Sequence, residues 1–313
     1  MLQSFTDINK LIKFLKLDNK NKKKILLKSS FSLYLPIRLA KKIKKNDLTD
    51  PILRQFVPLI AEEKEKIGFS IDPLEEKSFK KGNLLKKYKN RALLITTNAC
   101  HMHCRYCFRK HNFEKMGDKN FIQEIKLINE DKSLDEIILS GGDPLSLSHQ
   151  DLLSLLTKLD NIPHLKRIRL HTRSIIAQPE KIISSEFLKI FKNLKKQIIF
   201  VFHINHPKEI DKDVKKAINS LKKQNFLLFN QSVLLKGIND DFKTLKTLFE
   251  ILIDIGIIPY YLHQLDKIKG TSHFDVSTKK GTRLMKDLNE NMSGYMIPKY
   301  VQEIPNKKCK SLI

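Results

Sequence analysis

From residue 91 onward, short apolar runs alternate with longer stretches whose apolar residues recur every three to four positions. The runs at 92–97, 136–139, 167–171, 197–203, 226–234 and 257–263 are rich in β-branched and aromatic residues and predict buried strands. Between them, 120–129, 150–159, 180–194, 208–223 and 241–255 carry helical spacing. This alternation predicts a parallel sheet with right-handed crossovers. Six strand–helix units fall short of the eight of a closed barrel. The predicted fold is therefore α/β, a partial (β/α)6 barrel of the TIM type. Residues 1–85 lack the strand pattern. There, 8–17 and 33–43 show helical spacing, interrupted by Leu35-Pro36 and Asp50-Pro51. The expected organisation is a small helical N-terminal region (1–85) followed by the core (86–313).

Composition narrows the class. The chain has 313 residues, 41% of them apolar, enough for one large core with a smaller appendage. No apolar run reaches the roughly 20 residues of a membrane span, and the first residues lack the basic and apolar segments of a signal peptide. Three of the four cysteines share one loop, so no disulfide framework is expected, and a reducing cytosol is the expected compartment. The net charge of +25 invites a nucleic-acid reading. Yet only nine of the 59 basic residues are arginine, and the lysines are spread through every segment. Phosphate recognition favours arginine forks, so the basic surface reads as a solvated face, with no specific nucleic-acid partner and no membrane.

The densest chemistry lies just after the first core strand, in Ala99-Cys-His-Met-His-Cys-Arg-Tyr-Cys-Phe-Arg109. Cys100, Cys104 and Cys107, with three and two residues between them, point three thiolates at one centre from a single loop. Two chemistries share this donor set. Thiolates are the usual ligands of iron–sulfur clusters, and three of them leave one iron of a [4Fe–4S] cube open to a small molecule. Zinc is the alternative, with His101, His103 or His111 completing a mixed set, although no second ligand pair follows at matched spacing. The loop, with Tyr106 before its third cysteine, resembles that of the radical S-adenosylmethionine (SAM) superfamily. The resemblance implies a radical SAM barrel, a [4Fe–4S] cluster on the three cysteines, and SAM chelated at the open iron. After the second strand comes Leu139-Ser-Gly-Gly-Asp-Pro-Leu145. A glycine pair lets backbone approach a ligand closely, and in that superfamily such a pair holds the methionine end of SAM. The resemblance places Tyr106, Ser140, Gly141, Gly142 and Asp143 among the SAM contacts.

Four stretches narrow the resemblance: Ser140-Gly-Gly-Asp-Pro-Leu145, His203-Ile-Asn-His-Pro207, Asn230-Gln-Ser-Val-Leu-Leu235 and Pro259-Tyr-Tyr-Leu-His-Gln-Leu-Asp266. Together they are similar to the lysine 2,3-aminomutase family, which uses pyridoxal 5′-phosphate (PLP) beside the cluster. Asn230 and Gln231 join the expected cofactor contacts on this basis. Asp50-Pro-Ile-Leu-Arg-Gln55 and Gly68-Phe-Ser-Ile-Asp-Pro-Leu-Glu-Glu76 resemble the short members that supply β-lysine for modifying elongation factor P. In the family the PLP lysine lies seven residues after an acidic one. Glu303-Ile-Pro-Asn-Lys-Lys-Cys-Lys310 matches that spacing and implies Lys310 as the Schiff-base and catalytic residue, with Lys307 and Lys308 as competitors. The family's glycines are here replaced by Asn306, Lys307, Lys308 and Cys309. Lys87 and Tyr88 match the positions that hold the PLP phosphate.

The resemblance further implies Arg109 as the grip on the substrate's α-carboxylate, and Asp266 with Glu303 as the acidic pair for its ε-ammonium. The reaction it implies starts with SAM cleavage by the reduced cluster. A radical then takes hydrogen from C3 of lysine held on PLP, nitrogen migrates from C2 to C3, and hydrogen returns at C2. Elongation factor P with its lysyl-transferring enzyme, and a reductant such as flavodoxin, are the expected partners. The competing readings are a radical SAM enzyme on another amino acid or on RNA, and a zinc-stabilised basic nucleic-acid-binding protein.

Overall fold

The computed structural model describes residues 3–111 and 120–313. All six predicted core strands form, within a residue or two of expectation: β5 (Arg91–Thr97), β6 (Glu136–Gly141), β7 (Arg167–Thr172), β8 (Gln197–His203), β9 (Leu227–Val233) and β10 (Ile258–His263). They pair in sequential order, all parallel. Ile198–Phe202 of β8 are buried throughout, as expected where helices cover one face of a sheet and the barrel interior the other. A seventh parallel strand, β11 (Lys299–Gln302), extends the sheet beyond β10. It is too short and too polar to stand out in the sequence.

Antiparallel strands finish both edges. Lys80–Lys81 (β3) and Leu84–Leu85 (β4) pair with each other and then with β5, while Ser311–Leu312 (β12) pairs with β11. Elsewhere Ser4–Phe5 (β1) pairs with Leu35–Pro36 (β2). The helical reading of 33–43 therefore holds only for Ile37–Ala40, because Pro36 fixes the backbone ahead of it and supplies no N–H. The helix expected at 180–194 is broken into Pro179–Ile182 and Ser185–Lys189. Ser184 ends the first and caps the second, its hydroxyl accepting from the Phe187 N–H. Among the described residues no helix is long and apolar enough to cross a membrane.

The N-terminal residues pack into the same apolar core as the barrel, through Leu11, Leu35, Leu53 and Phe56 among others. Their main contribution to the site is to grip the cysteine loop. The His103 N–H donates to the Tyr34 carbonyl (2.9 Å) and the Arg105 N–H to that of Gln55 (2.8 Å). Arg105, between the second and third cysteines, is fully buried. Its guanidinium forks onto Glu62 (2.8 and 2.6 Å) and also donates to the Phe31 carbonyl and the Ser29 hydroxyl. Lys110 adds a second cation to Glu62 at 3.2 Å.

Breaking a buried pair from one side strands the other charge. Arg105→Met is therefore expected to destabilise the metal-free protein by about 3–5 kcal/mol in urea unfolding. Removing the whole charge group by adding Glu62→Leu and Lys110→Met is expected to restore much of the loss, and no recovery in that triple variant would contradict the pairing account.

Candidate active site

The C-terminal ends of β5–β10 open into a cavity of about 340 Å³. The loop after β5 lines it with Cys100, Cys104, Tyr106, Cys107 and Arg109, among others. Ser140, Gly141, Gly142 and Asp143 come from the tip of β6, Gln231 from β9 and Asp266 from beyond β10. Lys87 and Tyr88 precede β5, and Glu303 and Lys310 bracket the β11–β12 loop. Asn230, expected among the cofactor contacts, does not join them. It lies off the cavity wall, with its amide bonded to the backbone of Ile204 and to the Ser232 hydroxyl. Its work is to tie β9 to the exit of β8, so the expected cofactor contact is replaced by a structural one.

The glycine pair has a backbone reason. Gly141 takes φ +119°, and a Cβ there would meet the Thr97 carbonyl at 2.6 Å. A Cβ on Gly142 would collide with the Ala99 carbonyl. The tip of β6 thus packs directly under the start of the cysteine loop, where the Asp143 N–H donates to the Ala99 carbonyl (2.8 Å). Asp143 is itself fixed by Thr172 and by the Arg173 N–H.

The three thiols share one wall. Burial, Asp143 and the other two cysteines push the Cys100 thiol well up, while burial and Cys104 push Cys107 up to about 11. Among the described residues no three His, Cys, Asp or Glu side chains converge on a point that one metal ion could occupy. In a cluster each thiolate takes its own iron, a role that three thiols on one wall can fill. Behind the loop lies a buried polar network. Arg173 donates to Cys104 Sγ (2.9 Å), the Tyr106 hydroxyl, Gln55 and Glu209 (2.9 Å), and Asn205 donates to Tyr106 (2.6 Å).

At the other side of the cavity, one carboxylate gathers three residues. Glu303 accepts from Lys310 (2.6 Å), from Lys87 and from the Tyr88 hydroxyl (3.2 Å). Pairing of β11 with β12 brings Lys310 back to Glu303, with Asn306 supplying the left-handed turn (φ 61°). Lys307 and Lys308 are exposed and lie outside the cavity lining. Nearby, Arg169 Nε and His171 Nε2 are buried without partners in the described structure. Such donors, with Lys87 and Arg91, fit an anionic, heteroatom-rich group such as PLP. Burial drives His171 and His263 well below, and His203 down to about 3, so all three are neutral.

Asp266 differs from Glu76 and Glu303, the cavity carboxylates held by cations. It makes no ion pair among the described residues, and burial raises its carboxyl to about 7 against the attraction of Lys310. Arg109 is held bidentately by Glu76 (3.0 and 2.6 Å) and donates to the Gly141 carbonyl (3.3 Å).

A parallel partial barrel with a three-thiolate loop at its mouth defines the radical SAM class, and the model of the radical SAM superfamily matches residues 94–248. The L-lysine 2,3-aminomutase of Buchnera aphidicola subsp. Baizongia pistaciae is 40% identical, over 100% of this chain and 94% of that protein. The L-lysine 2,3-aminomutase of Escherichia coli K12 is 40% identical, over 98% and 91%. A glutamate 2,3-aminomutase of Clostridioides difficile is 33% identical, over 96% and 72%. The chain belongs to the lysine 2,3-aminomutase family of radical SAM enzymes.

Sequence reasoning passed over Glu76, Arg91, Arg169, Arg173 and His171. A signal existed for the arginines: where lysine is the default cation, four of the nine arginines line this cavity. Glu76 left no comparable mark, because its partner Arg109 is distant in sequence.

Asp266 yields a pH prediction. Its folded pKa is raised, so its ionisation costs nothing below about pH 4, costs increasingly up to pH 7, and levels off above. Asp266→Asn is expected to be more stable than the parent at pH 8 by about 2–4 kcal/mol, at about 1.4 kcal/mol per unit discounted for partial exposure. The advantage should vanish at pH 4, and an unfolding difference independent of pH would contradict it.

Proposed function

We propose that this protein converts L-lysine to β-lysine by moving the α-amino group to C3, using a [4Fe–4S] cluster, SAM and PLP. Asp266 carries the reading. A desolvated carboxylate without a cationic partner is costly, and a substrate ammonium relieves that cost. The guanidinium of Arg109 on the same cavity suits the α-carboxylate, so the wall offers complements to both charged ends of lysine. A second carboxylate in place of the ammonium, as in glutamate, would face Asp266 and Glu303 with like charge.

When bound, the cluster and SAM supply a carbon-centred radical, and PLP supplies a carrier for the migrating nitrogen. The chain's own residues hold and orient. Cys100, Cys104 and Cys107 are the cluster ligands, and Tyr106, Ser140, Gly141, Gly142, Asp143 and Gln231 form the wall for SAM. Lys310 is the PLP lysine, with Lys87 and Tyr88 on the phosphate. All three are now bound to Glu303, so their engagement with PLP frees Glu303 to join Asp266 on the ammonium. The reaction is an isomerisation: one hydrogen and one nitrogen exchange places between C2 and C3, with no net oxidation.

The finer setting is also our proposal. β-Lysine made here serves elongation factor P and its lysyl-transferring enzyme, in the cytoplasm, with a flavodoxin-type protein as reductant. Support comes from the Asp50–Gln55 and Gly68–Glu76 motifs, which resemble the short aminomutases of that system. The same reading assigns residues 1–85 as an N-terminal region that buttresses the catalytic core, residues 86–313.

Anaerobic reconstitution with iron and sulfide, followed by SAM, PLP, a reductant and L-lysine, is expected to yield β-lysine only when both cofactors are present. Lys310→Ala should abolish the product and the visible absorbance of bound PLP while leaving iron and sulfide content unchanged. SAM cleavage without β-lysine from the parent protein would overturn the substrate.

A further inference from the structure

The residue expected to grip the substrate's carboxylate is already gripping one. Glu76 takes the Nε/Nη2 edge of Arg109, and the remaining Nη1 donates to the Gly141 carbonyl. A second bidentate carboxylate therefore finds neither edge of the guanidinium free. Arg109 is 8% exposed, so its fork cannot turn to solvent to make room.

Glu76 belongs to a turn that crosses the cavity rim. Leu74, Glu76 and Phe79 line the cavity, while the ends of the turn are fixed by backbone bonds. Ser70 exchanges bonds with Lys267 and Lys269, and Lys80–Lys81 joins the sheet. Between those anchors, two side-chain bridges reach opposite walls: Glu76 to Arg109, and Glu75 to the Asn306 amide (3.1 Å) on the loop that carries Lys310. The Glu76 side chain is about a quarter exposed, so it has a path to the rim once another carboxylate takes over Arg109.

We propose that Glu76 is an internal surrogate for the substrate's α-carboxylate, competing with it for Arg109 and so setting how tightly α-amino acids bind. The proposal rests on Arg109 serving the carboxylate end of the substrate. Two negative charges on one guanidinium would repel, and the charge of Glu76 is already felt further along the wall, where it helps to raise Asp266. Binding is thus an exchange of carboxylates: Glu76 swings to the rim as the substrate's carboxylate takes the fork. The turn's second bridge, to Asn306, lets that movement reach the Lys310 loop.

The test is anaerobic calorimetric titration of the reconstituted, SAM- and PLP-loaded enzyme with L-lysine and with L-lysinamide, whose carboxylate is masked. Glu76→Gln keeps the shape and removes the competing charge. It is expected to bind L-lysine about tenfold tighter, the effect of a partly buried ion pair, and L-lysinamide unchanged. Weaker or unchanged L-lysine binding in Glu76→Gln would overturn the proposal, since an orienting or purely structural Glu76 predicts those results. If Glu76→Gln unfolds, Glu76→Asp replaces it, and the shorter carboxylate is expected to tighten L-lysine in the same selective way. Should the parent bind another α-amino acid instead of lysine, the substrate reading fails while the comparison of that acid with its amide still tests Glu76.

Discussion

A guanidinium with no exposed surface, set between two cysteines, is the constraint on which this site depends. Arg105 is fully buried, and its charge is tolerable only because Glu62 meets it with two short bonds. The pair joins the cysteine loop to a segment more than 40 residues earlier in the chain. Arg173 does the same from the barrel side, binding Glu209 and reaching Cys104. The loop is clamped from two directions by ion pairs that lose several kcal/mol if either partner moves. Three thiols are thereby held on one wall, which is what a cluster-binding loop requires.

The same logic runs through the cavity. Arg109 is neutralised by Glu76, Lys87 and Lys310 by Glu303, and Arg169 by Glu136. Charges buried at this density survive because each has a partner. A zwitterionic substrate need not add charge to such a site; it exchanges partners, an ammonium for a lysine and a carboxylate for a glutamate. Asp266 stands outside this pairing, and its carboxyl raised to about 7 records the cost. That asymmetry favours an occupant with a cationic side chain.

Much of this was legible in the sequence because it is local. Period-2 and period-3.6 patterns are set by which face is buried, and the six core strands emerged within a residue or two. The spacing of Cys100, Cys104 and Cys107 marks a shared donor loop, although it leaves cluster and zinc both open. What stayed hidden depends on partners far apart in the chain. Strand β11 is too short to carry a period, and Lys80–Lys81 is a strand only because Leu84–Leu85 folds back on it. Asn230 lies next to Gln231 in a motif-like stretch, yet strand alternation turns Gln231 to the cavity and Asn230 to the β8 exit. Lys87, Tyr88, Glu303 and Lys310 read as members of separate subsites, whereas the fold places them in one cluster.

The central claim is that the thiolate loop and the Asp266–Glu303 end of the cavity act on one lysine molecule. It is tested most directly with L-lysine deuterated at C3, incubated anaerobically with the reconstituted enzyme, SAM, PLP and a reductant. The account predicts deuterium in the 5′-deoxyadenosine derived from SAM and at C2 of the β-lysine product. 5′-Deoxyadenosine that carries no deuterium while SAM is consumed would mean that the radical never reaches lysine C3, and would contradict it.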